Sequence, residues 1–279
     1  MYKALDEFIT YLTDEACKSL NTCQSYRRDV RQFIDWLNSA YSVKSLKEIG
    51  SEHISAYEEE LKNNGKSPAT ISRMVASLKA FFSFCVVRGW LNANPTTELR
   101  SPKVIKKKPM ILTDNEILRL LAQPDIGNPK GVRDKAMLEL LCDTGLRVSE
   151  LIGLKVSDID LNKRKLVVPG GRKRTVSYDR RISKYMDKYA QVSRRILLSD
   201  KKDEGFFFVN VSGEEMSRQG FWKIIKKYGD MAEIDKDLTP HTLRHSFAAH
   251  AIKNGKDIKD VQRVLGHSDI STTNGYINL

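Results

Sequence analysis

The sequence predicts a mainly α-helical protein of two domains with one small β-hairpin. Three observations lead there. Apolar residues recur at three- and four-residue spacing over most of the chain. A stretch from Arg100 to Pro109 holds two prolines, four lysines and no acid, so it is extended and divides the chain. Between them Leu166-Val167-Val168 and Thr175-Val176, broken at Gly170-Gly171, read as a hairpin with a tight Gly-Gly turn. With 279 residues, 41% of them hydrophobic, each domain can bury a core of its own.

Residues 1 to about 100 read as a four- or five-helix bundle. Leu5, Phe8, Ile9 and Leu12 form the first stripe; Tyr26, Val30, Phe33, Ile34 and Leu37 form the second, with Thr22 as its expected N-cap. Ser51 opens a third helix that stops at Asn63-Asn64-Gly65. Ser67-Pro68 opens a fourth, running through Ile71, Met74, Leu78, Phe81, Phe82 and Cys85 to Gly89. The second domain begins with the capping box Thr113-Asp114-Asn115-Glu116. A helix over Arg133–Cys142 follows, Asp143-Thr144-Gly145 breaks it, and another starts at or near Arg147, at whose N-terminus free N–H groups favour an anion. After the hairpin come helices around Ile182–Leu197 and Arg218–Met231, separated by a short strand Phe206–Val209. Thr239 caps a last long helix with Pro240 at its first position.

The charge of +12 points to a polyanionic partner, most simply nucleic acid, and both halves of the chain are basic. Arg27, Arg28, Arg31, Lys66, Arg73 and Lys79 in the first domain, and Lys106, Lys107 and Lys108 in the linker, are expected to contact phosphates. No apolar run approaches the roughly 20 residues of a membrane span, and the N-terminus lacks the regions of a signal peptide, so a cytoplasmic protein without a membrane partner is expected. Cys17, Cys23, Cys85 and Cys142 are scattered without a CxxC pair, which fits reduced thiols rather than a disulfide framework or zinc site; neither metal nor cofactor is expected.

The chemistry lies near the C-terminus, in Thr239-Pro240-His241-Thr242-Leu243-Arg244-His245, Leu265-Gly266-His267 and Ser271 to Tyr276. His241 and Arg244 stand one helical turn apart on one face and can reach the same phosphate. H-x-x-R-H at His241-Arg244-His245, L-G-H-S from Leu265 to Ser268 and a tyrosine nine positions after His267 make an ordered set, preceded about a hundred residues upstream by Thr144-Gly145-Leu146-Arg147-Val148-Ser149-Glu150-Leu151. In this the chain resembles the tyrosine recombinase (phage integrase) family, nearest to its short, two-domain Xer-like members.

The resemblance implies residues 1–100 as a core-binding, SAM-like helical domain that binds DNA, 101–112 as a basic linker, and 113–279 as an α+β catalytic domain, the two domains clamping the duplex. It implies site-specific recombination. Tyr276 forms a 3′-phosphotyrosyl bond, a freed 5′-hydroxyl attacks the partner strand, and exchange passes through a Holliday junction. Chromosome dimer resolution and mobile-element integration or excision share this chemistry. The partners are double-stranded DNA with an inverted-repeat site and a homotetramer, or a heterotetramer with a related recombinase. Arg147 and Arg244 would clamp the non-bridging oxygens, because a planar guanidinium donates two parallel hydrogen bonds and stays charged. His241 and His267 would hydrogen-bond the phosphate or assist proton transfer.

The family takes its acid for the leaving oxygen from a lysine on the hairpin. Its usual Gly-Lys-Gly turn is replaced here by Gly170-Gly171-Arg172-Lys173-Arg174. Lys173 is assigned the role, with Arg172 and Lys165 as rivals and Arg172 and Arg174 as DNA contacts; arginine's very high pKa makes it a poor proton donor. His245 and His250 read as packing or hydrogen-bonding residues, Glu150 as an orienting carboxylate. Three residues follow Tyr276, where the family usually continues into a helix that docks on a neighbour, so weak self-assembly without DNA is expected. A type IB topoisomerase and a catalytically inactive DNA-binding protein are the alternative readings.

Overall fold

The computed structural model describes residues 1–102, 108–169, 173–266, 273, 275 and 276. The chain divides into two compact units, Met1–Lys107 and Lys108–Leu279.

Among its described residues the first unit holds four α-helices, α1 (Tyr2–Asp14), α2 (Leu20–Ala40), α3 (Ser51–Asn63) and α4 (Pro68–Val87), with a 3-10 turn at Leu46–Glu48. Their apolar stripes meet in a core of Phe8, Val30, Phe33, Ile34, Leu37, Leu78, Phe81 and Phe82. Phe8 meets Phe81 edge-on at 5.5 Å between ring centroids, and Phe33 meets Phe82 likewise at 6.0 Å. α2 begins earlier than its apolar residues suggest: Ser19, not Thr22, is the N-cap and accepts from the Thr22 N–H at 3.2 Å. α4 amends the membrane reading, since it is long and apolar enough to span a bilayer by length and composition. Its Ile71, Met74, Leu78, Phe81, Phe82 and Cys85 are buried in this bundle instead.

In the second unit, α5 (Asp114–Ala122) starts at the expected capping box, with Glu116 accepting from the Thr113 N–H at 2.7 Å. α6 (Pro129–Thr144) is longer than predicted, because Asn128 caps it and Pro129 supplies a preset first residue. It is buried almost all round. Within it Arg133 donates to Asp134 and to the Val209 carbonyl, and Tyr228 donates to the other oxygen of Asp134 at 3.0 Å. These bonds seat α10 (Arg218–Met231), which carries Tyr228, against α6.

After the short α7 (Val148–Ile152) comes an antiparallel sheet in the order β1 (Ile159–Asp160), β2 (Lys165–Val168), β3 (Arg174–Ser177). β1 was not foreseen. Leu166, Val168 and Val176 face the core while Lys165, Val167 and Thr175 face out. The last pair is Val168 with Arg174, so five residues, not two, connect the strands. Pro169 has no N–H with which to continue the ladder. Gly170 and Gly171 themselves lie outside the described residues.

α8 (Arg180–Lys188), a π-helical turn (Tyr189–Ser193) and α9 (Arg194–Leu198) run on from one another. The expected Phe206–Val209 strand is absent among the described residues: only isolated bridges, Lys155 with Phe206 and Val209 with Glu215, form there. The Phe207 N–H goes to the Leu154 carbonyl at 2.7 Å, and side chains take other backbone groups of the segment. Arg194 donates to the carbonyls of Phe206 and Phe207, and the Tyr189 hydroxyl accepts from the Val209 N–H. α11 (Pro240–Lys253) and α12 (Ile258–Leu265) complete the unit.

Candidate active site

Thr239 caps α11 by accepting from the Thr242 N–H at 3.1 Å, with Pro240 at its first position. The helix therefore starts where the sequence placed it, and Arg244 falls on its buried side, 4% exposed. Arg244 donates from Nη1 to the Gly145 carbonyl at 2.6 Å and from Nη2 to the Leu265 carbonyl at 2.7 Å. Gly145 ends α6 in the left-handed region at φ +60°, and a Cβ there would lie 2.4 Å from Phe247 Cδ1. Only glycine turns the chain here and keeps that carbonyl in place.

Two residues on, Arg147 is the N-cap of α7. Its guanidinium donates to Glu150 Oε1 at 3.0 Å and to the Gly266 carbonyl at 3.0 Å. The backbone N–H expected to await an anion is taken by Glu150 Oε2 at 2.7 Å. Arg147, His241 and Arg244 line one cleft of about 440 Å³, faced by Arg218, Gln219 and Trp222 from α10. Those three α10 residues were not singled out from sequence. The signal was present, since Phe221, Ile225 and Tyr228 mark the buried face and leave Arg218, Gln219 and Trp222 off it.

Electrostatics sharpen the contrast between the groups. Burial, and then the neighbouring charges of Arg147 and Arg174, pull the Arg244 pKa down to about 10, so it stays cationic at neutral pH. Burial alone would raise the Glu150 pKa, but hydrogen bonds from Arg174 and Arg147 hold it below the usual carboxylate value. Tyr276 is 4% exposed and hydrogen-bonded through its hydroxyl to His245 Nδ1 at 2.5 Å. Its burial raises the phenol pKa, opposed by the charge of Arg244. The His245 pKa is lowered by burial, then by His241 and Arg244.

His245 was read as a packing or hydrogen-bonding residue, and its partner turns out to be the phenol. His250 does pack, bonding the Leu112 carbonyl at 2.7 Å and Asp114 at 2.7 Å. Lys173 is exposed at the head of β3, whereas Lys165 sits opposite Ser177 at the far end of the hairpin, about 10 Å along the strand. His267, Arg172, Lys106 and Lys107 lie outside the described residues.

The expected phosphate contacts divide. Arg28, Lys66 and Lys108 are exposed, Lys79 is half-buried, and exposed Arg27 and Arg31 pair with Asp6 at 3.0 Å and Asp35 at 4.0 Å. Arg73 instead donates to the buried Asp29, which also accepts from Ser77 at 2.8 Å. Arg174 departs furthest from expectation. Its side chain is 11% exposed, and it donates to both oxygens of Glu150 and from Nε to the Val264 carbonyl at 2.8 Å. A residue held inside on three acceptor contacts is structural rather than a groove contact, because moving it out would leave the buried Glu150 with Arg147 as its one arginine partner among the described residues.

A helical N-terminal unit, and a second unit in which two arginines and a histidine converge on one cleft beside a buried tyrosine, define an integrase-type protein. Residues 110–279 match the Phage integrase family, and residues 5–89 match the Phage integrase, N-terminal SAM-like domain. The chain belongs to the phage integrase family, as a tyrosine recombinase of the Xer-like kind. It is 39% identical over 277 residues to tyrosine recombinase XerD of Halalkalibacterium halodurans, covering 99% of this chain and 92% of that protein. It is 34% identical over 281 residues to XerD of Listeria innocua, covering 100% of this chain and 95% of that protein. The crystal structure of XerH site-specific recombinase bound to palindromic difH substrate shares the fold, with a TM-score of 0.77 at 21% identity over 93% of this chain and 77% of that one.

Proposed function

We propose that this site-specific recombinase breaks and rejoins DNA at the cleft between α7, α10 and α11, with Tyr276 as the nucleophile. The observation that carries this is the convergence of Arg147, His241 and Arg244 on one cleft. A guanidinium has five N–H donors. Arg147 and Arg244 each commit two donors of the guanidinium to protein acceptors, leaving others for the non-bridging oxygens of a phosphodiester. Fixed in this way, they stabilise the five-coordinate transition state without reorganising as charge builds up.

Tyr276 attacks phosphorus and forms the 3′-phosphotyrosyl bond; the 5′-oxygen leaves with its electron pair and takes a proton from Lys173. His241, exposed in the cleft wall, and His267 donate to the phosphate oxygens. Arg28, Lys66 and Lys108 hold the backbone by charge, while Arg218 and Gln219 approach the duplex from α10. Residues 1–100 form the DNA-binding domain, 101–112 the linker and 113–279 the catalytic domain. Four protomers on paired inverted-repeat sites, alone or with a related recombinase, complete the exchange; the palindromic substrate of XerH supports a two-fold site. The protein works in the cytoplasm, on chromosomal DNA.

The test is covalent capture. The protein and its Tyr276→Phe variant are incubated with fragmented genomic DNA and denatured, and protein-linked fragments are sequenced. Wild type alone is expected to retain DNA, at one recurring inverted repeat. Equal retention by the variant removes Tyr276 from the role.

A further inference from the structure

We infer that His245 is the catalytic base that takes the proton from Tyr276 as the phenol attacks phosphorus. This rests on the reading of Tyr276 as nucleophile. A phenol of ordinary pKa about 10 is almost wholly protonated at neutral pH, and burial here holds Tyr276 higher still. It needs an acceptor within hydrogen-bond reach. Among the described residues that acceptor is His245 Nδ1, at 2.5 Å from the hydroxyl oxygen.

The surroundings keep His245 neutral, and in the Nε2–H tautomer its Nδ1 presents a lone pair to the phenol. Burial disfavours the imidazolium, and so do His241 and Arg244 on the same helix; Tyr276, from the C-terminal segment, is the group facing it across the bond. Arg147 of α7 and Arg174 of β3 act on Arg244 rather than directly on His245. Arg244 itself stays protonated and cannot accept. The ring of His241, in the cleft wall, lies 6.2 Å from that of His245, and the ring of Tyr276 lies 5.4 Å from that of His245. His245 thus neighbours both His241 in the cleft wall and the nucleophile, leaving His241 free for the phosphate.

In the step, the Tyr276 O–H bond breaks and its proton passes to Nδ1. The phenolate oxygen forms the bond to phosphorus, and the bond to the 5′-oxygen breaks with both electrons going to that oxygen, which is protonated by the general acid. The imidazolium so formed returns its proton to Tyr276 when the strand is rejoined.

The experiment is single-turnover cleavage of a nicked duplex carrying the sequence recovered by covalent capture, using full-length wild type, His245→Asn and His245→Ala. Asparagine places Oδ1 where Nδ1 stood, so it keeps the hydrogen bond but cannot take the proton; it carries the test if the alanine variant does not fold. Both variants are expected to bind the duplex within about two-fold of wild type and to form the covalent adduct roughly 10²–10⁴-fold more slowly at pH 7. Their rates should climb about tenfold per pH unit between about 7 and 9, as hydroxide replaces the base, while wild type stays flat. A sulfur leaving group at the 5′ position, which needs no acid, should not restore them. His245→Asn at the wild-type rate, or unchanged pH dependence, reduces His245 to packing and overturns the proposal; a variant faster than wild type makes it a restraint on Tyr276 and overturns it equally. Adduct formed by Tyr276→Phe is a different failure, that of the nucleophile itself.

Discussion

Arg174 donates to Glu150 from both terminal nitrogens, Nη1 to Oε1 and Nη2 to Oε2, each at 2.9 Å. The pair ties β3, which begins one residue after Lys173, to α7, whose N-cap is Arg147, and through the Val264 carbonyl to α12. One carboxylate therefore sets the spacing between the proposed acid and one of the proposed phosphate clamps. Glu150→Gln is expected to lower stability by about 3 kcal/mol, because Arg174 is left buried beside a neutral partner. Urea titration measures it. Since the folded-state pKa of Glu150 is depressed, its contribution is complete above its unfolded pKa of about 4.3 and is lost as pH falls through the folded value. Wild type should lose more stability than Glu150→Gln between about pH 5 and pH 3.

A bond to a buried carboxylate, Glu150 or Asp29, separates Arg174 and Arg73 from true phosphate contacts. Replacing Arg28 or Lys66 by Gln should reduce the slope of log K against log salt for duplex binding by about 1 each. Arg174→Gln should leave the slope unchanged while lowering the unfolding midpoint. A fall in slope for Arg174→Gln would return it to the DNA interface.

Gly145→Ala tests how the Arg244 clamp is set. The new methyl meets Phe247 Cδ1 at 2.4 Å and Leu265 Cδ2 at 2.8 Å, in a backbone region that disfavours alanine. A loss of at least about 1 kcal/mol of stability is expected, with cleavage slowed more than DNA binding because the carbonyl that holds Arg244 moves. Calorimetry and single-turnover cleavage give the two numbers.

Lys173 and Lys165 are separated by the length of the hairpin. Lys173→Ala should slow cleavage by roughly 10²–10⁴-fold and be restored by a 5′-sulfur leaving group, which departs without a proton. Lys165→Ala should behave as wild type. The reverse pattern would give the acid to Lys165.

Much of this was legible in sequence because it is local. The caps at Thr113, Ser67 and Thr239, and the prolines at 68 and 240, fixed helix starts through bonds spanning three residues. Arg147, His241 and Arg244 were legible as a spaced pattern, and they share a cleft. Long-range facts were hidden. Nothing local distinguishes Arg174, whose partner Glu150 is 24 residues away, from a solvated arginine. Nothing in the spacing of His245 and Tyr276, 31 residues apart, shows that they bond. The Phe206–Val209 segment reads as a strand by propensity, but Arg194, Tyr189 and Arg133 occupy its backbone groups first.

The central claim is that Tyr276 carries the DNA. The direct measurement is mass spectrometry of the trapped adduct after nuclease and protease digestion. The account predicts a nucleotide linked through its 3′-phosphate to the peptide containing Tyr276, absent from Tyr276→Phe; a nucleotide on any other residue, or an adduct that survives the substitution, would contradict it.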